Sequence, residues 1–287
     1  MRRLERRSAR ILAVLLVLVM LSSVFATAIP YIFPQRVEKR ELVAEFKDFR
    51  ELASRLNASY YIYFNYSYLE KLSDKDLLKL LIFNKTEEVL DPRIFNRLVI
   101  ELPTGFNEVL IVFYRDEDYP VYFVANNGQR IFFAGTESRN VEGYQIKLYR
   151  SIALVDTIEP FALGFYPSIY KALSDLKERK KVIEHLDRIN GSFAYAYFLV
   201  GEYALERVKS NNTSICDFFF EGYRYENGSY EKVWAINFVQ NFFFVESEDY
   251  YVEMFEDGFG IAVVRDKDFE KLLEFQPEIR GIVIVTQ

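Results

Sequence analysis

The sequence predicts an α+β chain: an N-terminal transmembrane helix followed by a tandem-duplicated ectodomain, each copy an antiparallel sheet covered by an amphipathic helix. Three observations predict it. Five arginines within residues 1 to 10 run into an uncharged stretch from Ile11 to Phe33. Beyond that stretch, similar segments recur in the same order at offsets of 130 to 136 residues. Within each recurrence, a helix-period stretch leads into an aromatic one and then into tight-turn dipeptides.

At about 1.5 Å per helical residue, the uncharged stretch reaches the roughly 30 Å of a hydrocarbon core. Basic flanks resist translocation, so residues 1–10 are expected in the cytoplasm and 11–33 as a transmembrane signal anchor. Ala26-Thr27-Ala28 has the small-x-small form of a peptidase site, giving the alternative of a cleaved signal peptide ending near Ala28. Both readings put the rest of the chain outside the cell. All seven N-x-[ST] sequons lie in that part, at Asn57, Asn65, Asn84, Asn190, Asn211, Asn212 and Asn227, and are read as glycosylation sites.

The net charge of the chain is −6 and residues 1–10 carry +4, which leaves −10 on the remainder. That balance excludes a nucleic-acid partner. With 51% hydrophobic residues, 17% of all residues aromatic and one cysteine, the exterior part can bury a large core without any intrachain disulfide. Richness in Glu, Arg, Lys and Tyr with a single histidine suggests an archaeal source.

The copies are expected at 37–156 and 171–287, joined by a linker at 157–170. Four matches support them. Arg55-Leu56-Asn57 answers Arg188-Ile189-Asn190, and Leu69-Glu70-Lys71-Leu72 answers Leu205-Glu206-Arg207-Val208. Glu117 to Val121 answers Glu248 to Val252, and Arg150 to Val155 answers Arg280 to Val285. In the first copy, Leu42, Phe46, Phe49, Ala53 and Leu56 predict a helix over about 37–56. In the second, Ile169, Leu173, Leu176, Ile183 and Leu186 predict one over about 168–189, opened by Pro167 and closed by Asn190-Gly191. The aromatic strands Tyr60–Tyr66 and Phe193–Val200 follow. Asn127-Gly128, Asn227-Gly228 and Asp257-Gly258 are hairpin signals, because type I′ turns need positive φ.

Few side chains offer chemistry. His185 points away from its helix's apolar stripe, among Lys181 and Arg188, and is expected to be solvated. Cys216 shares a strand face with Phe218 and Phe220 and is expected to be a buried thiol. The acidic turns holding Glu117, Asp118, Glu248 and Asp249 are candidate binding positions, since clustered carboxylates suit a hard cation. Tyr61 and Tyr63 share a strand face with the sequon residue Asn65, so a glycan there would leave both rings exposed for binding. No phosphate loop, nucleophile elbow or histidine-rich zinc pattern is present. No catalytic residue, metal site or cofactor is assigned, and an enzyme is not expected.

These features together predict a single-pass, glycosylated cell-membrane protein with a cytoplasmic N-terminus. Its ectodomain would bind an extracellular ligand or an envelope protein without catalysis. The alternatives are a carboxylate-based extracytoplasmic hydrolase and an envelope or pilus-like assembly subunit. The last is similar to pilin-like proteins in its basic leader, although Ser8-Ala9-Arg10-Ile11 lacks their processing pattern.

Overall fold

The computed structural model describes residues 42–95, 98–100, 106–125, 131–133, 137–178, 180–210, 213–239 and 242–281. Residues 1–10, the segment 11–33, Asn211, Asn212 and the Asn127-Gly128 turn lie outside the described residues. Among those described, no helix is long and apolar enough to cross a membrane.

In chain order the elements begin with β1 (Ala44–Glu45), α1 (Phe49–Ser54), β2 (Tyr60–Asn65), α2 (Tyr66–Leu69), α3 (Leu77–Val89), α4 (Pro92–Phe95), β3 (Leu98–Ile100), β4 (Glu108–Phe113) and β5 (Val121–Ala125). Next come β6 (Ile131–Phe133), β7 (Glu137–Val141), β8 (Tyr144–Tyr149), β9 (Ile152–Val155), β10 (Ile158–Glu159), β11 (Phe161–Phe165) and α5 (Tyr166–Glu178). A 3-10 turn at His185–Arg188 precedes β12 (Tyr195–Val200), α6 (Glu202–Arg207), β13 (Lys209–Ser210), β14 (Thr213–Ser214), β15 (Cys216–Glu226) and β16 (Ser229–Phe238). The chain closes with β17 (Phe242–Phe244), β18 (Tyr250–Met254), β19 (Phe259–Asp266), α7 (Phe269–Glu274) and β20 (Ile279–Gly281).

The fold is a mixed α+β one dominated by a single antiparallel sheet of twelve strands, ordered β18-β19-β16-β15-β12-β2-β4-β5-β11-β9-β8-β7. The two halves share this sheet instead of each forming its own. Aromatic and β-branched runs favour strands, and β2 at the centre is apolar on both sides. Tyr61 and Tyr63 enter one core with residues of α1 and α5, while Ile62 and Phe64 enter a second with Leu78 and Ile82 of α3. Helices on both faces explain why the strand reads as a continuous run and not as an alternation.

The expected helix over 37–56 reduces, within the described residues, to α1. The chain ahead of it is extended because β1 pairs in parallel with β10, Ala44 opposite Ile158. The helix starts only where the Asp48 carboxylate accepts from the amides of Arg50 and Glu51, an N-cap. The helix expected over 168–189 also divides. Ile169, Leu173 and Leu176 are buried on α5, but Val182 and Ile183 turn their amides to the Ser54 carbonyl, and Leu186 is buried from the 3-10 turn. The supposed linker 157–170 is corrected too, because β10 and β11 lie within it and β11 is hydrogen-bonded between β5 and β9. The Asn227-Gly228 turn forms as read, with φ of 52° and 80° between Glu226 and Ser229.

Connectivity repeats across the sheet. From the centre outward, β2-β4-β5-β11-β9 and β12-β15-β16-β19-β18 have the same order, with the last strand in sequence inserted beside the third. At the seam, Val200 donates to the Ser59 carbonyl and Asn65 to that of Ala194, which places β12 135 residues after β2. In the next strands, Ser59 donates to Phe113 and Ala194 to Tyr223, an offset of 110. Further out, Val121 pairs with Val112, and its counterpart Val233 pairs with Gly222. By the same ladders Leu154 corresponds to Val252. Of the four sequence matches, Leu56 and Ile189 are both buried just before the first strand, and Leu69 and Leu205 both lie in the helix after it. Val121 and Val252 occupy different strand positions, because extra strands in the first half shorten the offset from 135 to 98. Ile284 lies outside the described residues.

Candidate functional site

An open cleft of about 300 Å³ lies beside the N-terminus of α1, lined by Phe46, Asp48, Phe49, Tyr63, Glu108, Phe123 and Glu159 among others. Strand alternation turns Tyr63 toward α1, where its ring stacks on Phe49 with centroids 3.9 Å apart. Asn65 ends β2 and caps α2, its Oδ1 accepting from the Tyr68 amide at 3.0 Å. That cap leaves Nδ2 to donate to Tyr63 Oη at 3.2 Å and to Glu108 Oε1 at 3.3 Å. Glu108 stands opposite Asn65 in the β2–β4 ladder.

Burial pushes the Glu108 carboxyl above its ordinary value, opposed by the Tyr63 hydroxyl and reinforced by the charge of Asp48. Burial likewise raises Tyr63 well above the usual phenol value, and the Glu108 charge adds to it. Asp48 goes the other way. Burial opposes its ionisation, but the Glu51 amide and the Arg50 guanidinium and amide hold its carboxyl below the usual range. With its oxygens engaged as a helix cap and an ion pair to Arg50 at 2.9 Å, Asp48 is poorly placed as a general base. The cleft can accept hydrogen bonds, compensate a positive charge and pack against rings.

The second half has apolar side chains at the corresponding ladder positions. By the offsets above, Tyr63 corresponds to Phe198, Asn65 to Val200 and Glu108 to Phe218. Phe198 and Phe218 are buried, and His185 closes over Phe218 and stacks on Phe259 at 5.0 Å. His185 is therefore half-buried and not solvated. Burial pulls its pKa below the ordinary value, and its Nδ1 is enclosed without a hydrogen-bond partner.

The other sequence-derived candidates are dispersed. Tyr61 and Tyr63 are buried, which corrects the exposed-face reading. Tyr61 stacks on Phe198 and donates to the Leu56 carbonyl at 2.6 Å. Asn65 is buried and its Nδ2, the atom a glycan would occupy, is engaged, so the folded chain has no room for a sugar there. Asn57, Asn84, Asn190 and Asn227 are exposed. Glu117 and Asp118 lie before β5, Glu248 and Asp249 before β18. Those strands are seven positions apart in the sheet order, roughly 34 Å along it at about 4.8 Å per strand. The two acidic turns therefore do not share a cleft. Cys216 is buried and burial pushes its thiol up to about 12, but a bulge before Phe218 puts it on the opposite face from Phe218 and Phe220. Sequence reasoning missed Asp48 and Glu108. The one available signal was a lone carboxylate heading the apolar run Val109–Phe113.

The profile of the AF_2048_N family N-terminal domain matches residues 45–176, a span that contains every cleft residue and ends within α5. An uncharacterized protein of Archaeoglobus fulgidus is 39% identical over 97% of this chain and 95% of its own length. Two solved structures, crystal forms I and III of TP0453, are similar at TM-scores of 0.41 and 0.38, with 12% and 11% identity. Each alignment covers 79% of this chain, and 97% and 98% of the solved chains respectively.

Proposed function

The chain belongs to the archaeal family of the AF_2048_N domain and the A. fulgidus protein, and from that premise we propose that it is a membrane-anchored cell-surface protein that binds a small ligand in the first-half cleft. Its N-terminus is cytoplasmic, residues 11–33 hold it in the membrane, and the described body is extracellular and glycosylated. The arginine flank and the sequons support this placement, as does the exposure of Asn57, Asn84, Asn190 and Asn227.

One observation carries the binding reading: Tyr63, Asn65 and Glu108 are polar where Phe198, Val200 and Phe218 stand in the other half. Burying polar groups costs stability unless every one is satisfied, and the second half builds the same ladders without them. The polar set is therefore not a requirement of the fold, which points to a role in recognition. The same comparison supports an internal duplication, with one copy keeping an open cleft and the other filling it with rings.

Protease added to sealed cells tests the placement. A C-terminal tag should be lost while residues 1–10 remain protected, and full protection of the tag refutes it.

A further inference from the structure

Among the described residues, the buried carboxylates Glu231, Glu221 and Asp156 each face a cation. Glu231 meets Arg224 and Arg265, each at 2.5 Å, Glu221 faces Lys232 at 3.7 Å, and Asp156 meets Lys147 at 2.5 Å. Glu108 differs. It is half-buried and makes no ion pair among the described residues, and its hydrogen bonds to Tyr63 and Asn65 leave acceptor capacity unused, since a carboxylate offers about four lone-pair sites. Around it the cleft presents Asp48 and Glu159, the exposed Lys47 at its rim, and the rings of Phe46, Phe49 and Phe123, so its charged lining is acidic on balance.

On the reading of the cleft as a ligand site, we infer that its ligand is a small organic ammonium ion, paired with the Glu108 carboxylate and packed against the aromatic wall. Aromatic faces attract cations through the ring quadrupole, more strongly when water is excluded. The about 300 Å³ of space is at the small end for ligand pockets. Among the described residues no three acidic, histidine or cysteine side chains are grouped as metal ligands, which favours an organic cation over a metal ion. The sister half lacks the carboxylate and has the buried rings of Phe198 and Phe218 at the matching positions, so one ligand per chain is expected.

Isothermal titration of the full chain in detergent micelles tests the inference, with choline chloride as probe, sodium chloride at matched ionic strength as blank and glucose as the neutral comparison. Choline should bind at one site and glucose should not. Glu108→Gln, which keeps shape and hydrogen bonding, should weaken choline by at least about tenfold, while Glu108→Asp retains most of the affinity and Glu117→Gln all of it. Matching melting curves for Glu108→Gln and wild type would exclude misfolding as the cause. Unchanged choline affinity in Glu108→Gln overturns the inference, as does the absence of choline binding to wild type. If glucose binds where choline does not, the ammonium assignment falls but the cleft remains a ligand site.

Discussion

Replacing Lys232 with Met tests whether the buried charges of the second half act as a unit. Lys232 is only 3% exposed, and its Nζ donates to the carbonyls of Leu273 at 3.3 Å and Phe275 at 3.0 Å, at the C-terminal end of α7. Burial lowers its pKa, while the facing Glu221 charge opposes that shift. Glu221 keeps a hydrogen bond from Tyr223 at 2.5 Å, but Lys232→Met removes its one counter-charge among the described residues. Breaking a buried pair by deleting one partner costs about 3–5 kcal/mol. The separation of 3.7 Å and the surviving Tyr223 bond place this case near the lower end, about 3 kcal/mol. With a urea m-value of about 2–3 kcal/mol/M, the midpoint should fall by roughly 1 M or more. Adding Glu221→Met removes the stranded charge and should return most of the loss. A single substitution that costs under about 1 kcal/mol, or a double variant no better than the single, refutes the reasoning.

Gly222→Ala should destabilise by about 1–3 kcal/mol in the same assay, because a Cβ there would stand 2.6 Å from Phe193 Cδ1 and 2.8 Å from Phe220 Cε1, an overpacked core; a neutral result refutes that contact. His185→Phe keeps the stack on Phe259 and removes an enclosed, unbonded nitrogen, so thermal melting should show a gain of about 1 kcal/mol, and a loss would mean that Nδ1 has a partner. Asn57→Gln should reduce the intact mass of glycosylated protein by one glycan, whereas Asn65→Gln should leave the glycan mass unchanged and cost about 1 kcal/mol through the lost cap; a glycan lost from Asn65 overturns the buried assignment. The folded Glu108 pKa lies above its ordinary 4.5, so its stabilising contribution is present below that pH and is lost as pH rises through the folded value. Glu108→Gln should therefore gain stability relative to wild type as pH is raised across that range, and a difference that stays flat with pH contradicts the shift.

The α+β class, the stripe Ile169, Leu173 and Leu176, and the Asn227-Gly228 turn were legible because each depends on residues close together in sequence. The direction of Tyr61 and Tyr63 was not. A strand covered on both faces has no polar side to mark its orientation. The start of α1 was hidden because pairing with the distant β10 keeps residues 44 and 45 extended, against the helical spacing of Leu42 and Phe46. The hairpin from β7 to β8 turns through Glu142 and Gly143, both at positive φ, and glutamate gives little warning of it. The cleft was invisible for another reason: its parts come from α1, β2, β4, β5 and β10, far apart in sequence, and only the tertiary fold brings them together.

The ladder joining β2 to β12 also bears on how the chain reaches its folded form. Tyr60–Asn65 is made early, yet its partner Tyr195–Val200 emerges only after the whole first half and α5 have been synthesised. Until then the aromatic strand is an open edge, a template for pairing with another nascent chain. Neither half is closed without the other, so a ribosome-bound intermediate must be kept from its neighbours until the seam is complete. Severing the chain near Lys180 should accordingly yield fragments that aggregate alone and recover solubility only when mixed during refolding.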